Sequence, residues 1–181
     1  SCQVLDGDLK FLAKSLKPCS KNLEFFAIGL RNNEITSHGV YEIFKLIQNM
    51  QALKELQLDL CDLKISNGSF EIFGEDILPR LQVLHSLTLL LKGSPIADEC
   101  IELILKNLPN LKGLNIDLGE TLLSDKTVEM FIEEVLPRLE MLEYLSFTAE
   151  GTKISKENIA KIQKISESLE KKKAKTGNES C

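Results

Sequence analysis

A spelling of eight residues occurs five times in this chain. It reads Leu23-x-x-Phe26-x-Ile28-x-Leu30, Leu53-x-x-Leu56-x-Leu58-x-Leu60, Leu84-x-x-Leu87-x-Leu89-x-Leu91, Leu111-x-x-Leu114-x-Ile116-x-Leu118 and Leu142-x-x-Leu145-x-Phe147-x-Ala149. The starts at 23, 53, 84, 111 and 142 lie 30, 31, 27 and 31 residues apart. A period of this size confines the chain to a row of similar units, because one unit alone cannot bury its apolar face. Apolar and polar residues alternate within each copy, the pattern of a half-buried strand. Strands are therefore expected to start near 25, 55, 86, 113 and 144 and to pair in parallel, in sequence order.

A second column strengthens the period. Twelve residues after each start stands an apolar anchor: Ile35, Ile65, Ile96, Leu123 and Ile154. Beyond it the apolar residues step by three and four, as in Val40, Ile43, Phe44, Ile47 and Val128, Phe131, Ile132, Val135, which predicts a helix. Thr36, Ser66, Asp98, Ser124 and Ser155 are residues of N-cap type just after the anchors. Leu-Pro pairs at 78–79, 108–109 and 136–137 mark helix ends, since a residue before proline is pushed out of the helical region. The distance from start to anchor is constant, so the varying length lies on the helical side.

With these residues in hand, the chain resembles leucine-rich repeats of the ribonuclease-inhibitor-like class over about residues 4–170. Leu53-x-x-Leu56-x-Leu58-x-x-Cys61 matches their signature most fully. Two departures stand out. The signature's Cys or polar position is Arg31, Lys92, Gly119 and Glu150 in the other copies, and the anchor falls one residue later than usual. The resemblance implies an α/β solenoid (a horseshoe) with five parallel strands on the concave side and six helices on the convex side, joined by right-handed crossovers. Residues 1–170 would form the leucine-rich-repeat domain, with an incomplete first repeat at 1–22, repeats from 23 and a capping helix over 155–170. Residues 171–181 would be a basic polar tail. Val4, Leu9, Leu12 and Leu16 look like the anchor and helix of a repeat whose strand would precede residue 1. The start, Ser1-Cys2-Gln3-Val4, has neither Met nor an apolar signal region, so a piece of a longer chain is expected.

Composition excludes some classes of function. Apolar residues are 43% and charged ones 27%, a globular balance, and no run of 18 apolar residues offers a membrane span. A net charge of −5 argues against a general nucleic-acid binder. The five cysteines, at 2, 19, 61, 100 and 181, lack metal-knuckle spacing, and reduced thiols in a cytoplasmic, intracellular protein are expected. The histidines, His38 and His85, read as loop residues without partners, and neither a phosphate loop nor a His-Glu-x-x-His zinc pattern is present. No catalytic residue, metal, cofactor or small-molecule substrate is expected.

The resemblance implies protein binding, as a scaffold or recognition domain, in the cytoskeleton or another large assembly. Its alternatives are a GTPase-activating or other regulatory protein, with Arg31 or Arg80 as candidate arginines, and the recognition region of a ubiquitin ligase or innate sensor. The candidate contact residues lie on the outward strand positions: Phe25, Glu55, Gln57, Asp59, Thr88, Leu90, Asn115, Asp117, Tyr144 and Ser146. Phe25, Leu90 and Tyr144 are of hot-spot type there. A second candidate is electrostatic, through Lys171, Lys172, Lys173 and Lys175 of the lysine-rich stretch 153–175. Lysines also suit a helix C-terminus followed by a solvated tail, and that reading is preferred for them.

Overall fold

Each copy of the repeated spelling forms a short strand, seen here in a computed structural model that describes residues 3–178 and the side chains up to residue 174. The strands are β1 (Phe25–Gly29), β2 (Glu55–Asp59), β3 (Ser86–Leu90), β4 (Gly113–Asp117) and β5 (Tyr144–Thr148). They make a single parallel sheet in the order β1-β2-β3-β4-β5. Its register sets equivalent positions side by side, with Phe26, Leu56, Leu87, Leu114 and Leu145 in one row. Alternation decides which face is buried: Leu56, Leu58, Leu87, Leu89, Leu114 and Ile116 are at most 1% exposed.

Six α-helices cover that face among the described residues. They are α1 (Asp6–Leu16), α2 (Ser37–Ile47), α3 (Asn67–Ile72), α4 (Asp98–Lys106), α5 (Asp125–Met130) and α6 (Lys156–Asn178). The protein is thus α/β, and one continuous core joins Leu9 of α1 to Ile162 of α6. Both 31-residue units hold a π-helical segment after the α-helix, Phe73–Ile77 and Phe131–Val135, closed by a 3-10 turn at Leu78–Arg80 and Leu136–Arg138. The wider turns take up chain length without disturbing the strands. Close packing accompanies the first of them. A Cβ on Gly74 would lie 3.0 Å from Ile104 N and 3.1 Å from the carbonyl carbon of Leu103, so only glycine fits against α4.

Two backbone columns run across the units. The residue nine places after each start has positive φ: Asn32 59°, Asp62 61°, Gly93 73°, Glu120 54° and Gly151 76°. Four of the five are Asn, Asp or Gly, the residues that tolerate the left-handed region, and Glu120 is the exception. At the helix starts, side chains tie one unit to the next. Asp6 accepts from Thr36 N–H at 2.9 Å and from its hydroxyl at 2.5 Å. Ser37 Oγ accepts from Ser66 N–H at 2.7 Å. Asp98 accepts from Ser124 N–H, Ser124 Oγ and Thr127 Oγ1 at 2.9, 2.6 and 2.5 Å, and Asp125 from Ser155 N–H at 2.7 Å.

Two sequence readings change. Asp98 is not an N-cap. Ala97 holds that position, and Asp98, one residue further on, belongs to the column of Asp6, Ser37 and Asp125 that reaches the next unit. The stretch from 171 is not a tail as far as residue 178, because α6 continues past the expected end at 170. Its last turns need no apolar partner, since lysine is a good helix former and Lys171 pairs with Glu167 one turn back.

Candidate functional site

The second face of the sheet is open, and the register arranges the ten candidate contact residues on it in three rows. One row is Phe25, Glu55, Ser86, Gly113 and Tyr144; the next is Ala27, Gln57, Thr88, Asn115 and Ser146; the third is Gly29, Asp59, Leu90, Asp117 and Thr148. The two rings sit on opposite edge strands, Phe25 52% and Tyr144 43% exposed. Leu90 is half-buried at the end of the central strand. All ten thus share one face, flanked by an aromatic ring at each edge.

The face has relief at both sides. A recess of about 270 Å³ lies over β1 to β3, lined by Ala27, Gly29, Gln57, Asp59, Thr88 and Leu90. Small side chains on β1 leave this space open. The other recess, about 530 Å³, lies between β5 and α6 and is lined by Tyr144, Ser146, Thr148, Gln163, Ser166 and Glu170. The residues from α6 were missed in the sequence. Their signal was the polar stripe Gln163, Ser166, Glu167 and Glu170, whose three- and four-residue steps run beside the apolar stripe Ile162, Ile165 and Leu169.

Two acidic candidates are partly committed to their own backbone. Asp59 accepts from Cys61 N–H at 3.2 Å and Asp117 from Gly119 N–H at 3.0 Å, each a short turn that ends its strand. Burial, then the hydrogen bond and charge of Asp59, push the Cys61 thiol up to about 11. Burial, aided by the charges of Glu71 and Glu99, does the same to Cys100, also to about 11. Neither thiol is a nucleophile at neutral pH. Among the described residues no cluster of His, Cys, Asp and Glu has the arrangement to hold a metal ion.

The remaining candidates lie elsewhere. Lys171, Lys172 and Lys173 are exposed on the last turns of α6, with Lys171 3.8 Å from Glu167 and Lys173 4.0 Å from Glu143. The side chain of Lys175 lies outside the described residues. Arg31 follows β1 and lies 3.6 Å from Asp62, whereas Arg80 precedes β3 in a recess with Gln48, Gln51 and Val83. They stand at opposite ends of the strands. His85 works through its backbone, its N–H donating to Lys54 and its carbonyl accepting from Lys112 and Gly113. His38, at the start of α2, lies close enough to Asp6 to favour that carboxylate's charge.

No helix among the described residues is long and apolar enough to cross a membrane. No known family model matches the chain, and no curated protein matches its sequence.

Proposed function

We propose that this chain is a leucine-rich-repeat solenoid of the ribonuclease-inhibitor-like class and serves as a non-catalytic protein-binding scaffold or recognition domain. The observation that carries this reading is the open sheet face: three uninterrupted rows across five strands, with short side chains between Phe25, Leu90 and Tyr144. Short residues such as Ala27, Gly29, Ser86, Gly113 and Ser146 lose little entropy on contact and leave room for a partner's side chains. Exposed aromatic and apolar anchors then supply the energy. In a horseshoe this face would be the concave one. The partner is a protein, met inside the cell, where the free thiols of Cys19, Cys61 and Cys100 persist.

The test is a double substitution, Leu90→Lys with Tyr144→Lys, measured against proteins that co-purify with the wild-type chain from its own cells. Both residues point away from the core, so the unfolding midpoint should stay put while affinity drops by more than about 2 kcal/mol. Normal binding by this variant, with loss of binding in Lys171→Glu, Lys172→Glu, Lys173→Glu, would move the contact to the end of α6 and overturn the choice of surface.

A further inference from the structure

We infer that the N-terminal face of the molecule, formed by the outer edge of β1 and the outer side of α1, is the docking surface for one more strand–helix unit of this chain's own design, carried on the same polypeptide ahead of α1. The inference is independent of the binding role given to the open sheet face.

On the helix side one column stands out. Seven residues after each anchor stand Phe11, Glu42, Ile72, Leu103, Met130 and Lys161. Two of these positions meet the preceding unit in the structure. Glu42 lines a groove with Ala13, Lys14 and Lys17 of the α1 region, and the backbone of Leu103 lies against Gly74 of the unit before it. Where the column is apolar and a preceding helix exists, the side chain is covered: Met130 is 7% exposed, and Ile72 and Leu103 are half-buried. Phe11 is 74% exposed, on α1, the first helix among the described residues. Leu5, at the N-cap of α1, is 50% exposed.

The strand side agrees. β1 pairs with β2 alone. Glu55 N–H donates back to Glu24 O, so in the equivalent ladder the N–H groups of Phe25, Ala27 and Gly29 point to the vacant side. Ile28 is half-buried, as is its equivalent Phe147 on the other edge strand, whereas Leu58, Leu89 and Ile116 between them are fully covered. An edge of this kind is a template for another strand.

The seating of α1 assigns the occupant. α1 is already seated as a full member of the row, its Asp6 tied to Thr36 as Asp98 is tied to Ser124. Val4, just before α1, is also fixed to the following unit, its N–H donating to Asn33 Oδ1 at 2.9 Å. A strand placed twelve residues before Val4, the constant strand-to-anchor distance, would therefore fall beside β1. A second copy fits less well. The opposite end is covered by α6, whose outward residues Lys156, Glu157, Lys161 and Lys164 are exposed and charged, so it offers no apolar match to Phe11.

The test supplies that strand. Fusing a copy of Leu53–Cys61 directly before Ser1 restores the twelve-residue spacing to Val4. The expected result is a higher unfolding temperature and amide exchange slowed at least about tenfold at Phe25, Ala27 and Gly29. A control fusion with Ser in place of the copied Leu56, Leu58 and Leu60 should do neither. Unchanged exchange in the leucine fusion would overturn the inference. So would a concentration-dependent dimer of the unfused chain, seen by sedimentation and dissociated by Phe11→Glu, because a second copy would then be the occupant.

Discussion

The two ends of the sheet are built from the same repeated spelling and finish differently. At β5, the helix α6 lays Ile159, Ile162, Ile165 and Leu169 against the core and turns its lysines and glutamates outward. At the β1 end, Phe25 and Phe11 of α1 stand in the open. The contrast teaches that a parallel strand of this kind owes its stability to the neighbour on each side, and that an end is safe only where a polar surface replaces the missing neighbour. It also separates two kinds of exposed ring. Tyr144 borders a recess on the open sheet face, whereas Phe11 occupies a column whose other apolar members, Ile72, Leu103 and Met130, are buried or half-buried.

The largest effect should come from placing a charge in the middle of the sheet. Leu89→Asp buries a carboxylate with no partner and should cost more than about 4 kcal/mol, abolishing cooperative unfolding in a urea titration followed by circular dichroism. Ile28→Asp, at the open end, should cost about half as much or less, because water reaches the site. Equal losses at both positions would erase the distinction between the interior and the N-terminal end.

The hydrogen-bonded aspartates sharpen the comparison by a smaller amount. Asp98→Ala strands the Ser124 N–H and should cost about 1–3 kcal/mol, while Asp6→Ala loosens only α1 at the open end and should cost less. Burial raises the pKa of both carboxyls. The bonds from Ser124 and Thr127 to Asp98, and from Thr36 and Gly39 to Asp6, outweigh it and hold each below the ordinary 3.8. Their contribution is therefore complete above the unfolded value near 3.8 and is lost as the pH falls through the lower folded values. Between those values the unfolded chain takes up the proton and the folded chain does not. Unfolding midpoints measured from about pH 6 down to about pH 2 should show a shallower acid loss in Asp98→Asn than in the wild type.

The smallest change should be a gain. Glu120 is the one residue of the left-handed column without a tolerance for it, so Glu120→Gly should stabilise by up to about 1 kcal/mol. The exposed pair with Lys92, 3.0 Å away, offsets little of this. Gly93→Ala should do the opposite, since its φ is 73° and the added Cβ would strike the Asp62 carboxylate. A thermal melt that shifts the same way in both variants would show that backbone strain is not the cause.

Much of this architecture was legible because its signals are local and repeated. The alternation at 25–29, 55–59, 86–90, 113–117 and 144–148 located all five strands, and equal offsets placed the rows of the open face in register. What stayed hidden depends on neighbours that a linear reading does not compare. Asp98 looked like a cap because its residue type suits one, although its carboxylate serves a backbone 26 residues away. The continuation of α6 was missed because the apolar stripe stops at Leu169, and a solvated helix needs none. The α6 wall of the recess beside Tyr144 was invisible for a similar reason, since its polar residues read as ordinary surface until β5 is set against them.

The strand order has a consequence for how the molecule is made. Because each strand pairs only with those before and after it in the chain, a unit can join the sheet as soon as it leaves the ribosome, with no later segment required to complete it. At every stage of synthesis the newest strand is a bare edge, and the sticky side of the nascent protein moves forward with the chain. Because α6 follows β5 in the chain, the edge at β5 stays uncovered until α6 has been made.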